Sequence, residues 1–437
     1  MFRRLILATA VTFAIGGLHA ETAQPAWIAR SNADAQALLD VTARFSPESA
    51  TDIGLKGFDE KTVDLGPDVD KRQRAALVDV RTKVNKRLAE EKDPNVKQDL
   101  QILLKQIDGN IKGIDLNDKY LLPWFDAGQI VFSGEFSLLN AESTPEQNKA
   151  ALGRLKCYVG ITAGCTALVD QARARTTEKL GDKALLGPVK ADVEQKLGNT
   201  QRYVDGIRKL FAEKKIAGSD EAMAKLDQQL KDYNAWVKKV VLPHARTDFR
   251  LPEPLYAYNL EQVGLDISPH DLIDRAQLEF METTYALQML APVVAKAEGL
   301  PNGDYRDVLK ALKKKQLAKD KVEPTYHDVI GKIEETIRQQ RIVELPKRQM
   351  AMRLASEAEN ARTPAPHMDP PPFVGNTGQR GTFVLTTGNP PADGDKTQMY
   401  DDFTFEAAAW TLTAHEGRPG HELQFAAMVE QGVSLTR

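Results

Sequence analysis

Along most of the chain, apolar residues recur three and four positions apart with charged residues between them, a period that commits it to amphipathic α-helices. Leu77, Val80, Val84 and Leu88 form one stripe, and Val96, Leu100, Leu103, Ile107 and Ile111 form the next. Between them, Asp93-Pro94 reads as a cap followed by proline at the first helical position, where the missing N–H has no partner to lose. Met223, Leu226, Leu230, Tyr233 and Val237 mark a further helix opened by Ser219, and Ser268-Pro269 with Asp271 opens another through a variant of the capping box. These stripes are core surfaces, and no cofactor role is assigned to them. No repeat of about 20 to 50 residues marks a solenoid. The expected fold is mainly α, a large multi-helix unit.

The period lapses once. From Thr363 to Asp395 the chain is rich in Pro and Gly, yet it contains the apolar run Gly381-Thr382-Phe383-Val384-Leu385, flanked by turn residues, which is the best strand candidate. Helical periodicity returns at about Asp401 and carries through residues 401–432. The expected architecture is therefore helical with a small β element.

Residues 1–20, MFRRLILATAVTFAIGGLHA, place Arg3 and Arg4 ahead of an apolar run and end on Ala20, the layout of a signal peptide. Its removal leaves residues 21–437 as the helical domain and points to a periplasmic or secreted location. The apolar run is short of the roughly 20 residues that span a bilayer, and no later segment approaches that length, so no membrane association is expected after the leader is lost. The formal charge moves from −3 to −5, because the leader carries two arginines and no acid. Lysines and arginines alternate with acids, including in LKALKKKQLAKDK around Lys313, which reads as solvated helix surface and excludes a nucleic-acid partner. Cys157 and Cys165 are the two cysteines, eight residues apart around a glycine-containing turn, and in an oxidising compartment they can close a small disulfide loop. Two buried thiols are the alternative.

Chemistry concentrates in HEGRPGHELQ. His415 and His421 stand six residues apart, and Glu416 follows the first. Zinc favours imidazole nitrogen and carboxylate oxygen, and a catalytic zinc leaves one position to water, whose pKa it lowers towards about 7. The residues accordingly suggest His415 and His421 as metal ligands and Glu416 as the base. Spacing opposes a straight helix: at about 100° per residue, position i+6 turns away from position i. Pro419 removes a helical N–H and Gly420 tolerates unusual backbone angles, so a bulge at Arg418-Pro419-Gly420 is expected to return His421 to the face of His415. His244, His270, His327 and His367 stand in unrelated contexts and are expected to be surface or capping residues. Tyr400 precedes the motif and is read as a packing residue.

HEGRPGHELQ resembles the HEGxPGHxLQ signature of the DUF885 family, bacterial proteins whose fold resembles helical zinc peptidases of the HExxH type. FSPESATDIGLKGFDEKTVDL from Phe45, LPHARTDFRLPEPLYAYNL from Leu242 and QRGTFVLTT ahead of the motif agree with it, so the resemblance runs from about Asn32 to the last residue. It implies a zinc-peptidase-like fold, metal ligation by His415 and His421, and catalysis by Glu416. Such peptidases take a third ligand, usually a glutamate, from a downstream helix, and DUF885 proteins carry an EGWALYAE-like segment after the histidines. No such segment precedes Arg437, and Glu422 and Glu430 lack its context, so the chain is expected to be C-terminally incomplete, with the third ligand beyond it. In zinc peptidases an edge strand commonly holds the substrate backbone by strand addition, a role expected here of Gly381, Thr382, Phe383 and Val384. The leading expectation is a zinc-dependent hydrolase of peptide or other amide bonds, impaired in this chain. The alternative is a non-catalytic helical periplasmic binding or scaffold protein that keeps a remnant metal motif.

Overall fold

The first stripes fold as the spacing predicts. Leu77, Val80 and Val84 are buried on α3 (Val69–Glu90), and Val96, Leu100, Leu103 and Ile107 are buried on α4 (Pro94–Tyr120), both packed with α1 (Ala26–Phe45). The Asp93 carboxylate caps α4 by accepting from the Asn95 N–H at 2.9 Å. In this computed structural model the described residues are 25–346, 348–388, 402–432 and 434–437; the leader and Tyr400 lie outside them.

A second, larger core gathers around α5 (Ala127–Leu139), with α6 (Pro145–Tyr158), α7 (Leu168–Lys179), α8 (Lys190–Glu213) and α9 (Asp220–Val240) about it. Ten of the 13 residues of α5 are buried, Glu135 and Ser137 among them, so those two polar side chains are cut off from water. The stripe Met223, Leu226, Leu230, Tyr233 and Val237 is the inner face of α9. A short helix, α2 (Pro47–Asp52), packs against both α1 and α5. Cys157, at the end of α6, is joined to Cys165 by a disulfide with Cα atoms 5.2 Å apart. Closing so short a loop stabilises by about 2–3 kcal/mol in a chain-entropy account.

Beyond α9, α10 (Glu253–Gln262) lies on α4, where the Tyr258 hydroxyl occupies the space that a Cβ on Gly113 would fill. Next comes α11 (Pro269–Glu298), capped by Ser268, whose hydroxyl accepts from the Asp271 N–H at 3.1 Å. It buries Ala291 and Ala295 against α12 (Tyr305–Lys313) while Phe280, Met281, Tyr285 and Val293 remain exposed. Lys313 pairs with Asp402 at 2.7 Å on the surface. No described helix is long and apolar enough to cross a membrane.

The last third builds the site. Helix α13 (Lys319–Gln340) supports a three-stranded sheet of β1 (Ala351–Leu354), β2 (His367–Asp369) and β3 (Thr382–Leu385), with α14 (Glu357–Arg362) between β1 and β2. Helices α15 (Glu406–Glu416) and α16 (His421–Glu430) complete it, and α15 packs on α13. The architecture is mainly α with one small sheet.

Two expectations are corrected. The strand at Thr382–Leu385 forms, but it is the middle strand: β1 pairs with it in parallel, Met352 opposite Phe383, and β2 in antiparallel, His367 opposite Val384. Both of its edges are used, and Phe383, Val384 and Leu385 are fully buried, so β3 offers no free edge for a substrate backbone. A Cβ on Gly381 would meet the Met368 side chain at 2.5 Å, which places that residue against β2 as well. His367, expected at the surface or in a cap, instead lies in β2 with its Nε2 3.4 Å from Asp369 Oδ1 and its Nδ1 2.9 Å from the Ala365 carbonyl. Burial pulls its pKa down, but Asp369 and the Ala365 carbonyl together more than offset this and hold it above the ordinary value.

Candidate metal centre

The motif expected as one bulged helix is two helices. Helix α15 stops at Glu416, four residues turn, and α16 restarts at His421; the Arg418-Pro419 peptide bond is cis. Packing requires both glycines. A Cβ on Gly420 would come within 1.8 Å of the His415 carbonyl oxygen, and one on Gly417 within 2.6 Å of the Thr413 carbonyl oxygen and 2.9 Å of the Met350 side chain. The turn is closed by the Glu422 N–H donating to the Gly417 carbonyl at 3.1 Å. A straight helix carries position i+6 away from position i; this reversal brings it back.

As a result the two imidazoles meet edge to face with ring centroids 4.9 Å apart. One donor atom from each of His415, Glu416 and His421 lies within 4.8 Å of the others. Glu416 is buried, with an oxygen 3.8 Å from His415 Nε2, whereas the His415 side chain is 68% exposed, so the cluster has one protein wall and one open side. His421 Nδ1 is 3.3 Å from Gln424 Oε1; donation along that contact leaves Nε2 with the lone pair a metal needs. Behind it the ring stacks on Phe425, and Phe425 in turn meets Phe373 edge-on.

Arg418 fixes the turn from beneath. It is 2% exposed; its Nε and Nη2 grip Glu422 at 2.5 and 3.2 Å, its Nη1 reaches Glu334 on α13 at 2.6 Å, and Nη2 also donates to the Arg348 carbonyl at 2.9 Å. Burial opposes the charge, yet the two carboxylates keep the guanidinium above its ordinary pKa. Of the two glutamates on α16, Glu422 is committed to Arg418, and Glu430 lies 3.1 Å from Arg348. Sequence reasoning passed over Arg418 as a structural residue, although the i,i+4 spacing to Glu422 was visible; the Glu334 partner was not.

The donor set suits zinc: two imidazoles and a carboxylate offer the nitrogen and oxygen donors that ion favours. The structure thus gathers His415, Glu416 and His421, while the expected substrate strand is withdrawn into the core; of its four candidates Thr382 alone lines a cavity, one on the side of α2 and the end of α5.

No curated protein matches the chain. Among solved structures, a candidate lipoprotein of unknown function from Shewanella oneidensis superposes with a TM-score of 0.57 at 17% identity, over 94% of this chain and 73% of that one. At that identity the likeness is one of fold. The family model for bacterial proteins of unknown function named DUF885 matches residues 47–437, and the chain belongs to that family.

Proposed function

We propose that the protein is a zinc-dependent hydrolase of peptide or other amide bonds, with His415 and His421 holding the metal and Glu416 acting as base. The observation that carries this reading is the convergence of the three side chains across the turn between α15 and α16. When bound, zinc supplies an acidified water and polarises a carbonyl. Glu416, buried beside the open face of His415, is placed to take a proton and pass it to a leaving amine. Gln424 orients the His421 ring, and Arg418 holds the two halves of the motif together. With Glu416 reserved as base, two imidazoles alone bind zinc weakly, so metal in this chain is expected to exchange on dialysis. The leader-like first residues, and the description of the Shewanella oneidensis protein as a candidate lipoprotein, favour an exported, periplasmic or secreted enzyme.

Zinc titration with a peptidase assay tests the reading. Glu416→Gln keeps zinc affinity and lowers turnover by at least about a hundredfold, the scale of general base catalysis; His415→Ala and His421→Ala lose the metal. Hydrolysis that persists in Glu416→Gln, or zinc affinity that survives loss of both histidines, rejects it.

A further inference from the structure

Helix α11 is anchored along one side, where Ala291 and Ala295 are buried against α12. Turned about 100° from that side, a second row of apolar residues has no cover. Leu278, Met281, Tyr285, Met289 and Pro292 are all exposed, Tyr285 to 65%, although Gly303 touches one side of Pro292. At the helical repeat these five fall within an arc of about 80°. Phe280 and Leu290 are exposed as well but lie outside it. A continuous apolar stripe facing water on a helix this long marks an interaction surface, because a helix gains its stability by burying such a face.

The order of the stripe identifies its partner. Asp274 and Lys296 lie on the same arc, one beyond each end. With them included, the spacings along the helix are 4, 3, 4, 4, 3 and 4 residues, the same from either end, with Tyr285 at the centre. Such a pattern is complementary to its own reverse. Two copies aligned antiparallel about Tyr285 set Met281 opposite Met289, Leu278 opposite Pro292 and Asp274 opposite Lys296, each pair occurring twice. Both charges are available: among the described residues Asp274 has only His270, 4.0 Å away, and Lys296 has no ion pair. A parallel alignment would instead set Asp274 against Asp274 and Lys296 against Lys296.

We propose that α11 forms the interface of a two-fold symmetric dimer, in which the stripe of one copy covers the same stripe of a second. Such an interface uses one surface patch twice, which is what a palindromic pattern supplies. From Asp274 to Lys296 a helix rises about 33 Å. Two helices meeting along that length bury on the order of 1,000 Å² in total, the low end for a specific interface, so the dimer belongs in the micromolar range. Charge argues against a lipid surface as the cover. Helix α11 carries Asp271, Asp274, Glu279, Glu282 and Glu298 against Arg275 and Lys296, the reverse of the basic polar face that settles on anionic membranes. The interface goes beyond the hydrolase reading and requires no metal.

Sedimentation velocity of the full chain, with a chelator present so that no metal bridges two copies, provides the test. Between about 1 and 100 µM the unaltered protein passes from monomer to dimer and goes no further. Tyr285→Glu sets two carboxylates on the symmetry axis and weakens association at least about a hundredfold, with an unchanged circular dichroism spectrum. Asp274→Lys sets lysine against lysine at both ends and weakens it about tenfold, and adding Lys296→Asp restores it to within about threefold. A monomer at about 100 µM, association indifferent to Tyr285→Glu, or a charge exchange that fails to restore the dimer overturns the proposal. A monomer that binds vesicles of neutral or anionic phospholipid gives the stripe to a lipid surface and overturns it too. The unaltered protein and the exchange of two exposed charges keep the test intact if Tyr285→Glu fails to fold.

Discussion

Two buried clusters of charge, one under the turn between α15 and α16 and one under the cavity lined by α2 and the end of α5, are satisfied to different degrees. Beneath the turn between His415 and His421, the Arg418 guanidinium meets Glu422, Glu334 and the Arg348 carbonyl. Beneath that cavity, the cluster of Glu48, Glu135, Arg154 and Tyr158 has gaps: neither Glu135 oxygen, nor Glu48 Oε2, nor Arg154 Nε has a hydrogen-bond partner. A matched buried ion pair resists every displacement, because moving one member strands the other in low dielectric. A mismatched one is balanced by protons instead. Burial raises the Glu135 carboxyl well above the usual carboxylate range, and the nearby Arg154 does not bring it back. The turn is thus built for fixed geometry, and the floor under the cavity is built around a carboxyl that holds its proton.

The largest effect expected is at the turn. Arg418→Ala strands Glu422 and leaves Glu334 only its 2.8 Å pair with Arg338, and loss of one member of a buried pair costs about 3–5 kcal/mol. Urea unfolding measures it, and zinc affinity falls in parallel because the two histidines lose their common support. Arg418→Lys keeps the charge but not the fork and falls between Arg418→Ala and the unaltered protein. A cost under about 1 kcal/mol for Arg418→Ala would make this cluster no better matched than the other.

Glu135→Leu has the opposite sign and a smaller size. It removes a carboxyl group that lacks a partner, so it stabilises by about 1–3 kcal/mol near pH 8. The pH dependence follows from the direction of the shift. Folded Glu135 keeps a proton that the unfolded chain releases above its ordinary pKa, so its contribution is whole below that value and is lost as pH rises through the folded value. The advantage of Glu135→Leu over the unaltered protein therefore grows with pH, by at most about 1.4 kcal/mol per pH unit. An advantage that does not change with pH would show that Glu135 is charged in the fold.

These clusters also mark what could be read from the chain. The stripes at Leu77–Val84 and Met223–Val237 were legible because helical period is a local property, as were the caps Asp93 and Ser268. Pro419-Gly420 was legible as a bend, but the complete break was not: it depends on Gly420 lying against the His415 carbonyl. The strand at Thr382–Leu385 was found from its composition, whereas its central rank depends on partners of three and four residues, too short to announce themselves. Glu334 lies 84 positions from Arg418, and Thr51 lies 103 positions from Arg154, whose guanidinium it accepts from. Separations of that kind leave no periodic trace.

The smallest effect tests whether the cavity floor is loose in detail as well as in total. Ser137 donates to the Gly134 carbonyl at 2.8 Å and accepts from Arg154 Nη1 at 3.1 Å, but the same Nη1 also donates to that carbonyl at 2.8 Å. Ser137→Ala therefore leaves Arg154 a second acceptor, and the loss is about 0.5–1 kcal/mol, the net worth of one ordinary hydrogen bond. Unfolding in urea at about pH 7 measures it. A cost above about 2 kcal/mol would mean that Arg154 is held as tightly as Arg418. The contrast between a matched turn and a mismatched floor would then fail at the residue meant to carry it.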